Sequence, residues 1–508
     1  MTFSILFPST EHKKETQQAP VFFVDLNLDQ IVDAITAGKE EYNLKPFFYT
    51  SLAQADTIQY RQEVMQDLEH SALFEIVKSF AAEMRAMRQH LAQADKLYYK
   101  LQKQSWFLDA VGIYCDAVAS LARSLSGLEI KSLGFTAFRT YLSSYSRAVA
   151  FTALMRETNK VKADLAKVQY SVLIKGDRLT VRKYASEMDY SAQVENTFAK
   201  FKQGAVRDYQ AKFSGEPEMN HIEAKVLEFV SQLYPEIFTN LENYCAKNAN
   251  YLDETIGEFD REIQFYVAYL EYTERFKRAQ LSFCYPQVSD RDKEVFDYDG
   301  FDLALAQKLI QEKSWIICND FYFKGKERIF VVSGPNQGGK TTFARMFGQL
   351  HFLATLGCPV PGREARLFLF DKLLTHFEKE ENIKDLRGKL EDDLIRIHAI
   401  LEQAGPNSIV IINEIFTSTT VNDALSLSKK VLRRIIELDL LCVCVTFIDE
   451  LASLSEKTVS VASTVVPENP SVRTFKIIRK PADGLAYAIS IAEKYRLTYR
   501  YLTKRINS

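Results

Sequence analysis

Hydrophobic and polar positions follow two different patterns along the 508-residue chain. In the first half, apolar residues recur at the i, i+3, i+4, i+7 spacing of helices, for example over residues 226–233 and 263–270. No proline lies between residues 46 and 217, which permits long uninterrupted helices. This pattern predicts a mainly helical first half.

One stretch interrupts the helical pattern. The segment "VQYSVLIKGDRLTVRKY" (168–184) alternates β-branched and aromatic residues around Lys-Gly-Asp, which predicts a β-hairpin between helices. Residues 147–183 hold nine Lys/Arg against three Asp/Glu, a local net charge of +6. A solvated basic surface is the simplest interpretation, and a tip that contacts DNA phosphates is the functional one. The candidate DNA-binding residues are Lys175, Arg178, Arg182 and Lys183.

The second half alternates short apolar runs with helical stretches. The runs "RIFVVSG", "SIVIINE" and "LLCVCVTF" are typical of parallel strands that helices cover on both faces. The polar, turn-rich segment 284–300 predicts the junction between the halves. The predicted fold class is therefore α+β and multidomain: a helical half with a small hairpin insertion, then an α/β domain.

Composition narrows the class of protein. A 58.3 kDa chain with 47% hydrophobic and 26% charged residues predicts a globular protein of two to four structural units. A net charge of −2 gives no overall attraction to nucleic acid, and seven scattered cysteines favour reduced thiols over disulfides or zinc. The sequence shows neither an apolar run of membrane length nor a secretory leader, so we expect a cytoplasmic protein without membrane contact.

A phosphate-binding motif follows the first apolar run. Residues 334–341 read Gly-Pro-Asn-Gln-Gly-Gly-Lys-Thr, the G-x-x-x-x-G-K-[ST] pattern, between a predicted strand and a predicted helix. Glycines let backbone N–H groups surround phosphates, and the helix N-terminus adds partial positive charge. We expect the lysine to reach the β- and γ-phosphates of ATP and Thr341 to bind Mg²⁺. The candidate nucleotide-binding residues are Gly334, Pro335, Asn336, Gln337, Gly338, Gly339, Lys340, Thr341 and Thr342.

The segment "VIINEIFTSTT" (410–420) supplies the second half of such a site. An ATPase needs one carboxylate near Mg²⁺ and a second that orients the attacking water, usually Asp-Glu at the end of a strand. Here the strand ends in Asn413 and Glu414. Glu414 is the candidate catalytic residue, and the amide oxygen of Asn413 is a weaker metal ligand because it carries no charge.

These motifs resemble the MutS family of mismatch-repair ATPases. "GPNQGGKTT" is similar to the phosphate loop of that family, and "NEIFTSTTVNDALSL" is similar to its Walker B strand and following loop. "VTFIDEL" (445–451) and "DGLAYAISIAEKYRL" (483–497) resemble its switch segment and closing helix. The resemblance covers roughly residues 290–500, and "TIQYRQEVMQDLE" (57–69) resembles more weakly the start of the family's helical core.

The resemblance implies an ABC-type ATPase that uses ATP and Mg²⁺, a head-to-tail homodimer, and lever helices ending in a clamp around DNA. Asp423 would then lie in a loop that signals across the dimer. Gly388 and Lys389, in "RGKLEDDL" (387–394), would replace a serine that acts on the partner's nucleotide. Phe447 stands where the family has a switch histidine. These departures imply slow turnover.

The resemblance also implies a domain arrangement. We expect an N-terminal segment (1–48), a helical core and lever (49–167), a clamp-like insertion (168–215), a helical return (216–290) and the ATPase domain (291–508). From this order we expect neither the family's mismatch-reading and connector domains before the helical core nor a nuclease domain after the closing helix.

The leading hypothesis is a slowly hydrolysing, dimeric, DNA-binding ATPase of DNA repair or recombination. The alternative is a nucleotide-dependent scaffold that binds a protein or structured RNA and whose hydrolysis is vestigial. A third hypothesis, a chromosome-structuring ATPase with long coiled arms, is disfavoured because no sustained heptad repeat is present.

Overall fold

The computed structural model describes residues 3–8, 15–186, 219–378, 388–466, 468–481 and 503. The chain divides into two compact units, which are treated separately. The first consists of residues 1–70, 130–135 and 261–508, and the second of residues 71–129 and 136–260. The predicted closing helix (483–497), Arg387 and much of the predicted clamp insertion (187–215) lie outside the described residues.

The first unit begins with four helices. These are α1 (Phe22–Asp25), α2 (Leu28–Thr36), α3 (Lys45–Tyr49) and α4 (Ala55–Leu68). Helix α2 buries Leu28, Ile31, Val32 and Ile35, the spacing of one helical face. A further short 3₁₀ turn spans Glu40–Tyr42.

The second unit contains most of the long helices. They are α5 (Ser71–Lys96), α6 (Lys100–Ser126), α7 (Leu133–Arg147), α8 (Val149–Leu165), α9 (His221–Leu233) and α10 (Pro235–Lys247). Helix α11 (Glu254–Arg278) begins in this unit, and its residues from Arg261 onward belong to the first, as do residues 133–135 of α7. Inside the unit, the rings of Phe138 and Phe259 stack with centroids 3.5 Å apart. The predicted helical character of the first half is confirmed by these elements.

Helix α6 is long and apolar enough to cross a membrane by length and composition alone, and it is the single such helix within the described ranges. Half of its apolar window is buried inside the protein. That burial is typical of a core helix packed among other helices.

The predicted hairpin is confirmed. Strands β1 (Tyr170–Lys175) and β2 (Arg178–Lys183) pair antiparallel, with Lys175 opposite Arg178. The two-residue turn has Gly176 at a φ of 62°, a left-handed value that glycine adopts without strain. Ile174, beside the turn, is 76% exposed.

The remaining elements of the first unit follow in chain order. The strands are β3 (Phe283–Cys284), β4 (Gln287–Ser289), β5 (Phe296–Gly300), β6 (Asn319–Tyr322), β7 (Ile329–Ser333), β8 (Val360–Pro361), β9 (Glu364–Phe368), β10 (Leu373–His376), β11 (Ile409–Asn413), β12 (Leu441–Val445), β13 (Thr458–Val466) and β14 (Asn469–Arg479). The helices among them are α12 (Leu303–Gln311), α13 (Lys340–Thr355), α14 (Lys389–Gln403) and α15 (Val421–Leu438).

A six-stranded sheet forms the centre of this unit, in the order β10-β11-β12-β7-β13-β14. Its first five strands are parallel to their neighbours and β14 is antiparallel to β13. All residues of β7 and β12 are buried, as expected for strands covered on both faces. The three strands predicted from apolar runs are thus confirmed as β7, β11 and β12.

A second, four-stranded mixed sheet has the order β4-β9-β5-β6, and β3 pairs with β8. Segment 284–300, predicted as a polar junction, therefore contains the short strands β4 and β5. Their pairing partner β9 lies far away in sequence, so local polarity did not indicate them. The fold is α+β with mixed sheets.

Candidate nucleotide-binding site

The glycine-rich loop, residues 334–339, joins the buried strand β7 to helix α13. Gly334 and Gly339 have φ values of 109° and 92°, so both lie in the region that favours glycine. Gln337, at a φ of 58°, adopts a left-handed conformation as well. The loop thus turns sharply and leaves the N-terminus of a long helix directed at it, an arrangement that suits anions.

Two glycines of the loop lie against Ser463 on strand β13. A Cβ atom on Gly334 would lie 2.5 Å from Ser463 Oγ, and one on Gly338 would lie 2.4 Å from the same atom. Real Cβ atoms do not approach an oxygen so closely, so no side chain fits at either position without a shift. Glycine is therefore required at both positions by packing against Ser463.

Lys340, the first residue of α13, turns back into the loop. Its Nζ donates to the carbonyl oxygens of Gly334 at 3.0 Å and Pro335 at 3.3 Å, and lies 3.5 Å from Asn336 Oδ1. Burial lowers the pKa of this ammonium from its ordinary value, and the charge of Glu414 opposes that shift. In this arrangement the lysine closes the loop, because its ammonium group bonds to oxygen atoms of the loop itself.

Phe447 also contacts this lysine. Its ring centroid lies 4.4 Å from Lys340 Nζ, a cation–π distance, and the side chain is half exposed. The sequence indicated only that Phe447 stands where the family has a switch histidine. The contact was missed because the two residues are far apart in sequence and no local pattern links them.

Thr341 and Asn413 connect the two halves of the candidate site. The Thr341 hydroxyl donates to Asn413 Oδ1 at 2.9 Å, joining the start of α13 to the end of β11. Both predicted metal-binding residues are thus in direct contact. Neither carries a charge, and the described part of the chain contains no group of three or more His, Cys, Asp or Glu side chains able to hold a metal ion.

Glu414 is the residue directly after Asn413, at the end of β11. Its φ of 56° is unusual for a residue with a side chain, and its backbone N–H donates to the Val445 carbonyl at 3.0 Å, which fixes it beside β12. Burial raises the pKa of its carboxyl, the Lys340 ammonium lowers it, and the nearby charge of Glu378 raises it further. The carboxyl and the lysine thus shift each other's titration.

Asp423 lies in the first turn of α15. The Thr420 side chain accepts from the Asp423 backbone N–H at 3.3 Å and donates to Asp423 Oδ2 at 2.8 Å. This is an N-terminal cap, which satisfies a helix donor and places an acid at the positive end of the helix. The structure gives Asp423 this local contact. Its role in dimer signalling stays a prediction.

Gly388 and Lys389 begin helix α14, with Gly388 in an extended conformation as its cap. Lys389 forms an ion pair with Glu378, the residue that also influences Glu414. A chain of charges therefore runs from Lys389 through Glu378 to the candidate catalytic carboxyl.

The four candidate DNA-binding residues lie on the hairpin of the second unit. Lys175 and Arg178 flank its turn, and all four side chains are exposed. Lys183 Nζ lies 4.8 Å from the ring of Tyr234, which follows α9. The hairpin therefore presents its basic residues to solvent.

Residues 22–26, near the N-terminus, contact the helix that follows the glycine-rich loop, a feature that the sequence did not indicate. Arg345 and Gln349 of α13 donate to the carbonyl oxygens of Asp25 and Leu26, each at 2.9 Å. Thr375 of β10 donates to the Asp25 carboxylate at 2.6 Å. This segment thus bridges α13 and the strand next to β11.

Comparison with known proteins shows which family the sequence around the site resembles. A family model described as MutS domain V matches residues 330–502. This part of the chain resembles domain V of the MutS family, and MutS proteins are among the relatives that match it. The match includes the last four residues of β7, the whole glycine-rich loop, and strands β11 and β12.

Relatives in this family match part of the chain. The DNA mismatch repair protein MutS of Orientia tsutsugamushi (strain Boryong) is 26% identical over 219 residues, which is 42% of this chain and 24% of the relative. The MutS of Fervidobacterium nodosum is 22% identical over 284 residues, 54% of this chain and 33% of that protein. The DNA mismatch repair protein MSH3 of Eremothecium gossypii is 31% identical over 128 residues, 25% and 12% of the two chains. The match thus spans a third or less of each of these relatives.

Proposed function

We propose that this protein binds ATP with Mg²⁺ in the glycine-rich loop and hydrolyses it slowly. The Thr341–Asn413 hydrogen bond carries this proposal, because it brings the predicted ends of the Walker A and Walker B segments together at 2.9 Å. The strand-loop-helix geometry around Gly334 and Gly339 supports it.

The residues present fit a Mg²⁺ ion held jointly with a nucleotide. Thr341 and Asn413 offer a hydroxyl and an amide oxygen, both hard ligands. When bound, Mg²⁺ neutralises phosphate charge and supports an in-line attack by water. Because Asn413 is neutral, we expect the chain to hold the ion more weakly than an aspartate would.

Glu414 is the group proposed to orient the attacking water. Its carboxyl is half-buried, and burial raises its pKa. A raised pKa makes the ionised carboxylate a stronger base, which suits a group that orients and polarises water.

The chemistry is tested by measuring ATP turnover with and without duplex and branched DNA, using Glu414→Gln as the comparison. We expect slow turnover in the unsubstituted protein that DNA stimulates. In Glu414→Gln we expect turnover to be lost and binding of a fluorescent ATP analogue to be retained. Equal turnover in both proteins would contradict the proposed role of Glu414, and absence of analogue binding would contradict the site itself.

We further propose that the protein works on DNA as a homodimer, in DNA repair or recombination. The relatives are described as DNA mismatch repair proteins, and the exposed basic hairpin supports contact with phosphates. In the proposed arrangement, residues 49–167 and 216–290 form the core and lever, residues 168–215 form the clamp, and nucleotide binding shifts a two-state equilibrium between clamp positions.

A second candidate function, a nucleotide-dependent scaffold for a protein or structured RNA, is favoured by two observations. Lys340 is held by loop carbonyls and by the Phe447 ring, and Asn413 lacks a charge, so the site has features that disfavour turnover. ATP binding together with background turnover, and without salt-sensitive DNA binding, would support this function over the first.

A further inference from the structure

Strand β13 carries a buried hydroxyl directly beneath the glycine-rich loop. Ser463 is 1% exposed, and its Oγ has no hydrogen-bond partner among the residues that the structure describes. Burial of a hydroxyl without a hydrogen-bond partner is unfavourable. The position is fixed, because β13 pairs with β7 up to Ala462 opposite Ser333, the residue before the loop.

The hydroxyl faces the part of the loop that Lys340 closes. Ser463 Oγ lies 2.4 Å, and the Pro335 carbonyl oxygen 2.9 Å, from the point where a Cβ of Gly338 would stand. The two oxygens are therefore neighbours across a glycine, although they form no hydrogen bond here. The Pro335 carbonyl accepts instead from the Gly338 N–H at 3.2 Å and from Lys340 at 3.3 Å.

The hydrogen-bonding capacity of Lys340 is exhausted in this arrangement. An ammonium group has three N–H donors, and three loop oxygens lie within 3.5 Å of Lys340 Nζ: those of Gly334, Pro335 and Asn336. Contact between the lysine and a phosphate must therefore release at least one of them. A released carbonyl then has a lone pair open to another donor; that of Pro335 keeps its hydrogen bond from the Gly338 N–H and can accept a second one.

We propose that Ser463 is a positioning residue for the nucleotide-bound loop: its hydroxyl donates to a loop carbonyl, that of Pro335, when Lys340 turns to the phosphates. This inference rests on the proposed function, since the lysine must bind phosphate for the exchange to occur. Ser463 acts through the loop and does not touch the nucleotide. While Lys340 bonds to the loop, the Ser463 hydroxyl has no partner within the described part of the chain. Once Lys340 has turned to the phosphates, a hydrogen bond from this hydroxyl to the Pro335 carbonyl replaces the one that the lysine gave up.

This exchange of hydrogen-bond donors predicts that Ser463→Ala affects the stability of the free protein and its nucleotide affinity differently. Without nucleotide, removal of an unpaired hydroxyl leaves the melting temperature unchanged or raises it. With nucleotide, loss of one hydrogen bond weakens the affinity for a fluorescent ATP analogue about three- to tenfold. A purely structural role for Ser463 would lower both the melting temperature and the affinity.

Ser460→Ala is the matched control. Ser460 lies on the same strand, its Oγ is buried and also has no partner among the described residues, and it pairs with Val331 rather than with the loop. We expect unchanged nucleotide affinity in this variant. Unchanged affinity in Ser463→Ala as well, with the unsubstituted protein binding the analogue, would overturn this inference alone. If the unsubstituted protein failed to bind, the proposed function would fall too.

A second experiment needs no nucleotide. Lys340→Met removes the donors from the loop carbonyls in the free protein, so the Ser463 hydroxyl becomes their available donor. In that background we expect Ser463→Ala to lower the melting temperature, whereas in the unsubstituted background it does not. Additive effects of the two substitutions would contradict the exchange, because coupled groups give a non-zero interaction energy in a double-mutant cycle.

Discussion

At the scale of single residues, Asn413 is the position where the candidate site departs most simply from a charged metal site. Its amide oxygen already accepts from the Thr341 hydroxyl at 2.9 Å, so an aspartate at this position would place a carboxylate oxygen in the same contact. Hydrogen bonds to charged groups are about twice as strong as neutral ones, and Mg²⁺ prefers carboxylates.

We therefore expect Asn413→Asp to lower the Mg²⁺ concentration needed for half-maximal ATP turnover, by about three- to tenfold, and to raise the maximal rate. The measurement is turnover as a function of Mg²⁺ concentration. Asn422→Asp, at an exposed position in the first turn of α15, adds the same charge outside the contact and serves as the control. Turnover that stays at background in Asn413→Asp would favour the scaffold function.

The residues of the site divide by how they could be found. Lys340, Thr341 and Glu414 occur in short motifs whose chemistry is readable from their order in the sequence. Ser463 and the cation–π partner Phe447 are brought to the site by strands far away in the chain. Their roles depend on sheet order, which no local pattern encodes.

At the scale of elements, helix α13 combines the end of the glycine-rich loop with a tight packing contact. Gly348 lies inside the helix, and a Cβ there would be 2.7 Å from Cδ1 atoms of both Leu26 and Ile411. At Gly348 the helix therefore packs against Leu26 of the segment 22–26 and against Ile411 of β11. An added methyl group would force one of them to move.

Replacing glycine by alanine inside a helix usually stabilises it, by about 0.5–1 kcal/mol. We expect the opposite for Gly348→Ala: a lower melting temperature, with nucleotide affinity reduced because α13 positions the loop. Gly257→Ala in α11 is the control, since its Cβ would meet only Leu252 at 3.6 Å, an ordinary contact, and should raise the melting temperature. Adding Leu26→Ala to Gly348→Ala should recover part of the loss. If Gly348→Ala and Gly257→Ala had the same effect on the melting temperature, this account of the packing would be contradicted.

The periodicity of apolar residues predicted the helices and strands better than it predicted which strands pair with each other. Strands β7, β11 and β12 are continuous apolar runs because they are buried on both faces, and the hairpin is marked by its alternation and its glycine. Strands β4 and β5 are short and polar at alternate positions, so their sequence resembles a loop. The use of residues 22–26 as a bridge rests on backbone carbonyls, which every residue possesses and no sequence pattern reveals.

At the scale of the whole molecule, the two proposed functions fall in different units: the candidate nucleotide site lies in the first and the basic hairpin in the second. Their separation makes them testable one at a time. A protein that neutralises phosphates releases counterions, so the dependence of its DNA affinity on salt counts the contacts.

We expect replacement of Lys175, Arg178, Arg182 and Lys183 by Glu to weaken duplex binding several-fold at about 100 mM salt and to flatten the salt dependence, while affinity for the ATP analogue is unchanged. The measurement is DNA binding at several salt concentrations. A control with the same change in charge places Glu at Lys308, Lys430, Arg433 and Arg434, which are exposed on the first unit. Equal DNA affinity in the hairpin variant and the unsubstituted protein would remove the hairpin from the proposed DNA contact.

The bridge made by residues 22–26 also has a consequence for how the protein is synthesised. Phe23 and Leu26 are fully buried, and the carbonyl of Asp25 meets Arg345, 320 residues later in the chain. During synthesis, residues 22–26 therefore wait until residue 345 has been made before they find this partner, and contacts of such long sequence separation form slowly. During that interval their apolar side chains are exposed to other chains, so the yield of folded protein should depend on the rate of translation and on chaperones.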